Sequence, residues 1–113
     1  MSDVRWIKEA PMAITVTDAD GIILEMNDRA ENTFEKDGGR NLIGSNVLDC
    51  HPEPARARLA GMLKDGTSNI YTIEKKGMKK MIVQMPWYSD GKPAGLVELS
   101  IELPQNIPHF VRK

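Results

Sequence analysis

Little in this chain points to covalent or redox chemistry. It has one cysteine, Cys50, which excludes an internal disulfide and any cysteine-rich zinc site. Its two histidines, His51 and His109, lie far apart in sequence. Cys50 and His51 are chain neighbours, and neighbours on an extended backbone point opposite ways, so they do not form a dyad by default. No nucleophile elbow, phosphate loop, metalloprotease helix or dinucleotide fingerprint is present, and the chain is not expected to be an enzyme. No apolar run approaches the roughly 20 residues that span a bilayer. The opening Met1-Ser2-Asp3-Val4-Arg5 lacks a signal-peptide core, so the expected location is cytoplasmic unless this is a fragment of a larger receptor. Charge of one sign is also missing. The formal net charge is -1, which offers no global attraction to nucleic acid or an anionic membrane. Lys75, Lys76, Lys79 and Lys80 form a local basic cluster, with only Tyr71 as a nearby aromatic. Nucleic-acid binding wants interleaved aromatics, so the cluster reads as a solvated hairpin whose lysines guard a sheet edge.

What is present suits one soluble domain. A chain of 113 residues, 41% hydrophobic and 27% charged, has ordinary globular composition and room for a modest core. Its most informative stretch runs from Ala13 to Asn27. Ile14 and Val16 share one face of a period-2 run, and Thr15 and Thr17 share the other. In a second run, Ile22, Leu24 and Met26 share a face. Between them, Asp20-Gly21 is a hairpin signal, because Gly21 accepts the positive φ of the turn. Asn27-Asp28 then offers N-cap chemistry, with Glu31 as the capping-box partner of Asp28.

The rest of the chain alternates between short helices and strands. Asp3 would cap a short helix that Pro11 stops, with Val4, Trp6 and Ile7 on its apolar side. A helix is expected from Asp28 to Phe34, then a polar, glycine-rich loop or broken helical turns from Glu35 to Arg40. Leu42, Ile43, Val47 and Leu48 supply apolar anchors. A longer helix is expected from Pro52 to Lys64, with Ala55, Leu59, Met62 and Leu63 toward a sheet and Gly66 as its stop. Three strands follow, at 70–75, 80–88 and 94–103. In the second, Met81, Val83, Met85 and Trp87 share a face that reads as core, pocket wall or dimer surface, and Pro86 places the strand at an edge or a bulge. In the third, Val97, Leu99, Ile101 and Leu103 oppose Glu98, Ser100 and Glu102. Two strands, several helices and three strands imply an α+β fold, with one antiparallel sheet covered by helices on one face. Residues 104–113, with Pro104 and Pro108, read as an extended tail.

This order of parts resembles a PAS domain. The carriers are Asp18, Gly21, Ile23, Asn27 and Ala30 in the opening hairpin and helix, then Leu42-Ile43-Gly44, then Gly91 and Gly95-Leu96-Val97 in the closing hairpin. The resemblance covers about residues 10 to 103. It implies a five-stranded antiparallel sheet over 11–103, preceded by an N-terminal helical cap over 1–10. It implies a sensor that holds a small apolar or planar ligand between helices and sheet and passes a conformational change to another protein. It also implies homodimerisation through the leading helix, hence through Val4, Trp6 and Ile7. Family members hold haem, flavin or small acids. Haem is the leading specific expectation, with His51 as iron ligand and Cys50, Leu59, Met62, Met81, Val83 and Met85 around it. Against it, His51 stands at the start of the long helix, and the plainer reading makes it a helix cap or surface residue, with the methionines filling the core. The flavin-adduct signature is broken, because Gly39-Arg40-Asn41 is followed by Leu42 and not by cysteine. The rival function is a ligand-free interaction or dimerisation module.

Overall fold

A computed structural model describes residues 5–113, apart from the side chain of Cys50. The interface candidate Val4 and the Cys50 side chain lie outside the described residues. A short helix α1 (Arg5–Lys8) precedes strand β1 (Ala13–Thr17). Strand β2 (Ile23–Met26) returns antiparallel, with Thr15 opposite Met26. The Asp18 carboxylate builds the turn by accepting from the N–H groups of Asp20 and Ile22, each at 2.9 Å. Gly21 completes it at φ 90°. The expected face of Ile22, Leu24 and Met26 is corrected: Ile23 and Met26 are buried and Leu24 is exposed. A register shift between Val16 and Thr17 breaks the alternation, and Ile22 instead bridges to Asn46.

Helix α2 (Asp28–Thr33) is capped by Asn27, whose Oδ1 accepts from the Ala30 N–H at 3.0 Å. The cap is therefore one residue earlier than a box of Asp28 with Glu31 requires. Asp28 instead pairs with Lys8 at 3.0 Å on the surface, and this partner raises the Lys8 ammonium above its ordinary range. Three single 3₁₀ turns follow, Glu35–Asp37, Gly39–Leu42 and Val47–Cys50. Helix α3 (Ala55–Asp65) starts later than the expected Pro52. Pro54 occupies its N-cap, and the Glu53 carboxylate reaches forward to accept from the Ala57 N–H at 2.8 Å. Gly66 ends it in the left-handed conformation, at φ 67°.

Strands β3 (Asn69–Lys75), β4 (Met78–Ser89) and β5 (Lys92–Glu102) form two hairpins. Their two-residue turns, Lys76-Gly77 and Asp90-Gly91, have positive φ at both positions, which matches the twist of the flanking strands. The sheet order is β2-β1-β5-β4-β3, antiparallel throughout. Pro86 pairs with Leu96 of β5 but lies past Gln84, where the pairing with β3 ends, so its missing donor interrupts no ladder bond to β3. Residues 103–113 form neither helix nor strand.

Register decides which residues meet the helices. Thr15, Glu98, Gln84 and Asn69 are aligned across β1, β5, β4 and β3 and share one face. Ala13 and Leu96 belong to that face. Leu96 packs with Leu59 and Met62 of α3, and Ala13 packs with Ile23, Met26 and Ala30. This is the inner face. The opposite face carries Ile14, Leu99, Val83 and Ile70 in one row and Val16, Val97 and Met85 in the next. Met81, Val83 and Met85 thus point away from the helices, which corrects their expected place around the ligand. Alternation along a strand groups residues by face but does not say which face is covered.

Candidate functional site

A cavity of about 380 Å³ lies between the inner face of the sheet and the 3₁₀ turns. Its apolar wall is Ile23 and Met26 from β2, Phe34 after α2, and Leu42 and Val47 from the turns. Thr15 and Glu98 come from the sheet, His51 from the end of the third turn, and Asp37 and Asp49 complete the lining. This size stands at the small end of ligand cavities, roughly 300–1,000 Å³.

The third turn positions His51. Asn46 caps that turn through its side chain, accepting from the Leu48 N–H at 2.9 Å. His51 Nδ1 then lies 2.7 Å from the Val47 carbonyl oxygen. A carbonyl only accepts, so Nδ1 carries the hydrogen, and in the neutral ring Nε2 is left as an acceptor. Among the described residues Nε2 has no protein partner.

The sheet side is a polar relay. Asn69 donates to Gln84 Oε1 at 3.4 Å, and Gln84 Nε2 donates to Glu98 Oε2 at 2.7 Å. Gln84 is buried, and the first bond fixes its amide so that the NH₂ end faces Glu98. Beside the relay, Tyr71 titrates above its ordinary value, first because it is partly buried and then because Glu98 is negative; Arg58 of α3 opposes both. Thr15, directly across from Glu98 in the ladder, is only 7% exposed. Its hydroxyl makes no hydrogen bond among the described residues. Thr17, two residues on, is fully engaged: its hydroxyl donates to Asp18 O at 2.9 Å and accepts from Leu96 N at 3.2 Å.

Of the expected site residues, His51 lines the cavity. Leu59 and Met62 are buried in the cluster with Leu96 and are absent from its lining. Met81, Val83 and Met85 lie on the far face. Trp6 is 69% exposed. Sequence reasoning missed Thr15 and Glu98. Both alternate opposite apolar residues and so read as solvent-facing. A signal was nonetheless present, since both rows sit on strands with apolar residues on either parity, Ala13 and Leu96 among them. Among the described residues, no helix is long and apolar enough to cross a membrane.

No known family's sequence profile matches the chain, and no curated protein matches it. Solved structures do. The C-terminal domain of a Streptococcus mutans protein superposes with a TM-score of 0.68 at 20% identity, covering 85% of this chain and 78% of that one. The PAS domain of the histidine kinase ThkA gives 0.61 at 21% identity, covering 80% and 97%. The Aer2 receptor of Vibrio cholerae, described as a dual PAS–haem oxygen sensor, gives 0.59 at 14% identity, covering 82% and 95%. The fold is that of PAS domains.

Proposed function

From this PAS fold we propose that the chain is a sensory, non-enzymatic ligand-binding module, which holds a small, mostly apolar molecule in the cavity and passes a conformational change to a partner protein. The observation that carries this is the cavity itself: five apolar side chains face a fixed polar relay and the Thr15 hydroxyl, which has no hydrogen bond among the described residues. A ligand there shifts the sheet between two states only as far as it binds one better than the other. Neutral indole titrated into the labelled protein is expected to move the amide resonances of Thr15, Val47 and Glu98. Leu42→Trp, which fills the cavity, abolishes those shifts while leaving the circular dichroism unchanged. Shifts confined to other regions would remove the cavity from consideration.

Haem meets this site on one count and fails on another. His51 is oriented as a metal-binding imidazole is, with Nδ1–H held by a backbone carbonyl. The described lining, however, carries three carboxylates, Asp37, Asp49 and Glu98, and neither lysine nor arginine. The two propionates of haem would enter a field of their own sign. These residues do not fit haem, and the reading adopted is a smaller ligand without iron. Haemin added to the purified protein is expected to keep the spectrum of free haemin. A sharpened Soret band that disappears in His51→Ala would reverse this conclusion.

The output surface in this reading is the outer face of the sheet. Ile70 is 52% exposed and Met85 40%, beside Val16, Val83, Val97 and Leu99 on the same face. A partly exposed apolar face of this kind suits a protein contact. With Trp6 and Ile7 of the leading segment, it would pair two copies. Light scattering is expected to show a dimer for the parent chain and a monomer for Met85→Lys, a change at an exposed position that leaves the core intact. An unchanged mass for the variant would assign pairing elsewhere.

A further inference from the structure

We propose that the ligand of the cavity carries a protonated amine, seated between Thr15 and Glu98 where β1 meets β5, with its apolar body against Ile23, Phe34 and Val47. This inference rests on reading the cavity as the ligand site, and it names the class of ligand.

Four observations lead to it. The first is the sign of the lining: three carboxylates and, among the described lining residues, no lysine or arginine. Asp37 and Asp49 are exposed at the rim, and Asp49 is partly answered by Arg56 at 4.0 Å. Glu98 is the half-buried one. The second is the orientation of its neighbours. A carboxylate presents about four acceptor positions, and the Gln84 amide fills one of them at 2.7 Å. Asn69 occupies the carbonyl end of that amide, so the amide cannot turn round without losing its bond from Asn69. Glu98 is thereby held as an acceptor that still wants donors.

The third observation is Thr15, a residue only 7% exposed that lines the cavity and whose hydroxyl, without a hydrogen bond among the described residues, keeps accessible surface rather than being sealed off. An occupant that took water away from this hydroxyl without bonding it would leave it buried and unsatisfied, which is unfavourable, so a bond from the occupant is expected. Directly opposed residues of an antiparallel pair hold their Cβ atoms about 4.5–5.5 Å apart, so Thr15 and Glu98 stand side by side on the cavity wall. An ammonium has three donors and no acceptor. One reaches Glu98 and one Thr15 Oγ1, while His51, also in the lining, offers Nε2 as a further acceptor in its neutral form. The fourth observation is the adjoining wall of five apolar side chains, which has no use for a second charge on the ligand. A carboxylate ligand would meet three like charges, and a zwitterion would lose at one end what it gains at the other.

The Tyr71 phenol agrees with this picture, since the negative field of Glu98 is among the causes that hold it above its ordinary value despite Arg58.

The test compares three ligands of one apolar body: 2-phenylethylamine, 2-phenylethanol and 3-phenylpropanoate, titrated calorimetrically into the full chain at neutral pH and low salt. The amine is expected to bind at least about tenfold more tightly than the alcohol, and the carboxylate more weakly than both. Glu98→Gln, which keeps an acceptor for Gln84, is expected to bring the amine level with the alcohol, because it weakens the amine far more than the alcohol. Thr15→Val is expected to weaken the amine severalfold. Alcohol or carboxylate binding as well as the amine, or an amine preference that survives Glu98→Gln, would overturn the amine site and leave the cavity reading standing. Failure of all three to bind the folded protein would overturn the cavity reading, and this inference with it.

Discussion

Gly95→Ala is expected to lower stability by about 4 kcal/mol or more, which places it among the exceptional point substitutions. Gly95 sits in β5 opposite Trp87, at a φ of 157° that L side chains rarely adopt. The Trp87 indole lies across the glycine and donates from Nε1 to the Thr17 carbonyl of β1 at 2.8 Å. A Cβ on residue 95 would stand 1.9 Å from that carbonyl oxygen and 2.7 Å from Nε1. The first atom belongs to backbone, as does the Asp18 carbonyl carbon at 2.8 Å, so a rotamer change in Trp87 relieves only one of the three clashes. Relief requires β1 and β5 to separate beside Thr17, and the Thr17 hydroxyl bond to Leu96 N would open with them. Gly61→Ala is the control, because a Cβ there meets nothing within 4 Å in the middle of α3. Helix propensity alone should make it stabilising by up to about 1 kcal/mol. Urea denaturation at constant slope reads both. A Gly95→Ala midpoint within about 1 kcal/mol of the parent would show that the strands yield where the geometry says they cannot.

The same position shows what a sequence conceals. Gly95-Leu96-Val97 is legible as part of a closing hairpin, but nothing in those letters says that an indole eight residues upstream crosses the glycine. Elements whose cause is local were legible: the turn at Asp20-Gly21, N-cap chemistry at Asn27-Asp28 and the Gly66 stop follow from residues within a few positions of each other. The single five-stranded antiparallel sheet was expected from the element order and the family resemblance, whereas the pairing of β1 with β5 and the strand order were not stated by either and appear only in the register. The facing of β4 was not legible. Met81, Val83 and Met85 are more apolar than Lys80, Ile82 and Gln84, so hydrophobicity favoured the wrong parity. The sheet buries Gln84 because Asn69 and Glu98 satisfy it, and those partners lie on two other strands. The cavity was legible through His51 alone. Thr15 and Glu98 entered it through a cross-strand register that no local pattern encodes. On β2, a single register shift was enough to replace Ile22 and Leu24 by Ile23 on the core side.

Asn27→Ala should cost about 3 kcal/mol, the second-largest effect anticipated, although it removes a small polar side chain. Asn27 is 4% exposed and uses both ends of its amide twice. Oδ1 accepts from the Ile14 N–H at 2.9 Å and from the Ala30 N–H at 3.0 Å. Nδ2 donates to the Ile7 carbonyl at 3.0 Å and to the Met12 carbonyl at 2.8 Å. One side chain thus ties the segment ahead of β1, β1 itself and the start of α2 to a single point. Alanine leaves these backbone groups without partners, at about 1–3 kcal/mol for each one that water cannot reach. Asn27→Asp separates the two halves of the junction. Aspartate is as good an N-cap as asparagine and keeps both acceptor bonds, but it has no donor for Ile7 and Met12 and sets its charge against their carbonyls. It is therefore expected to cost less than alanine, about 1–2 kcal/mol, and to release the leading segment while α2 stays capped. Hydrogen exchange gives the distinguishing readout. In Asn27→Ala the Ile14 and Ala30 amides lose protection together, whereas in Asn27→Asp they keep it. If the two variants exchanged alike, the amide of Asn27 would not be the link between the leading segment and the sheet, and any signal passing from the cavity wall at Thr15 toward Trp6 and Ile7 would need another route.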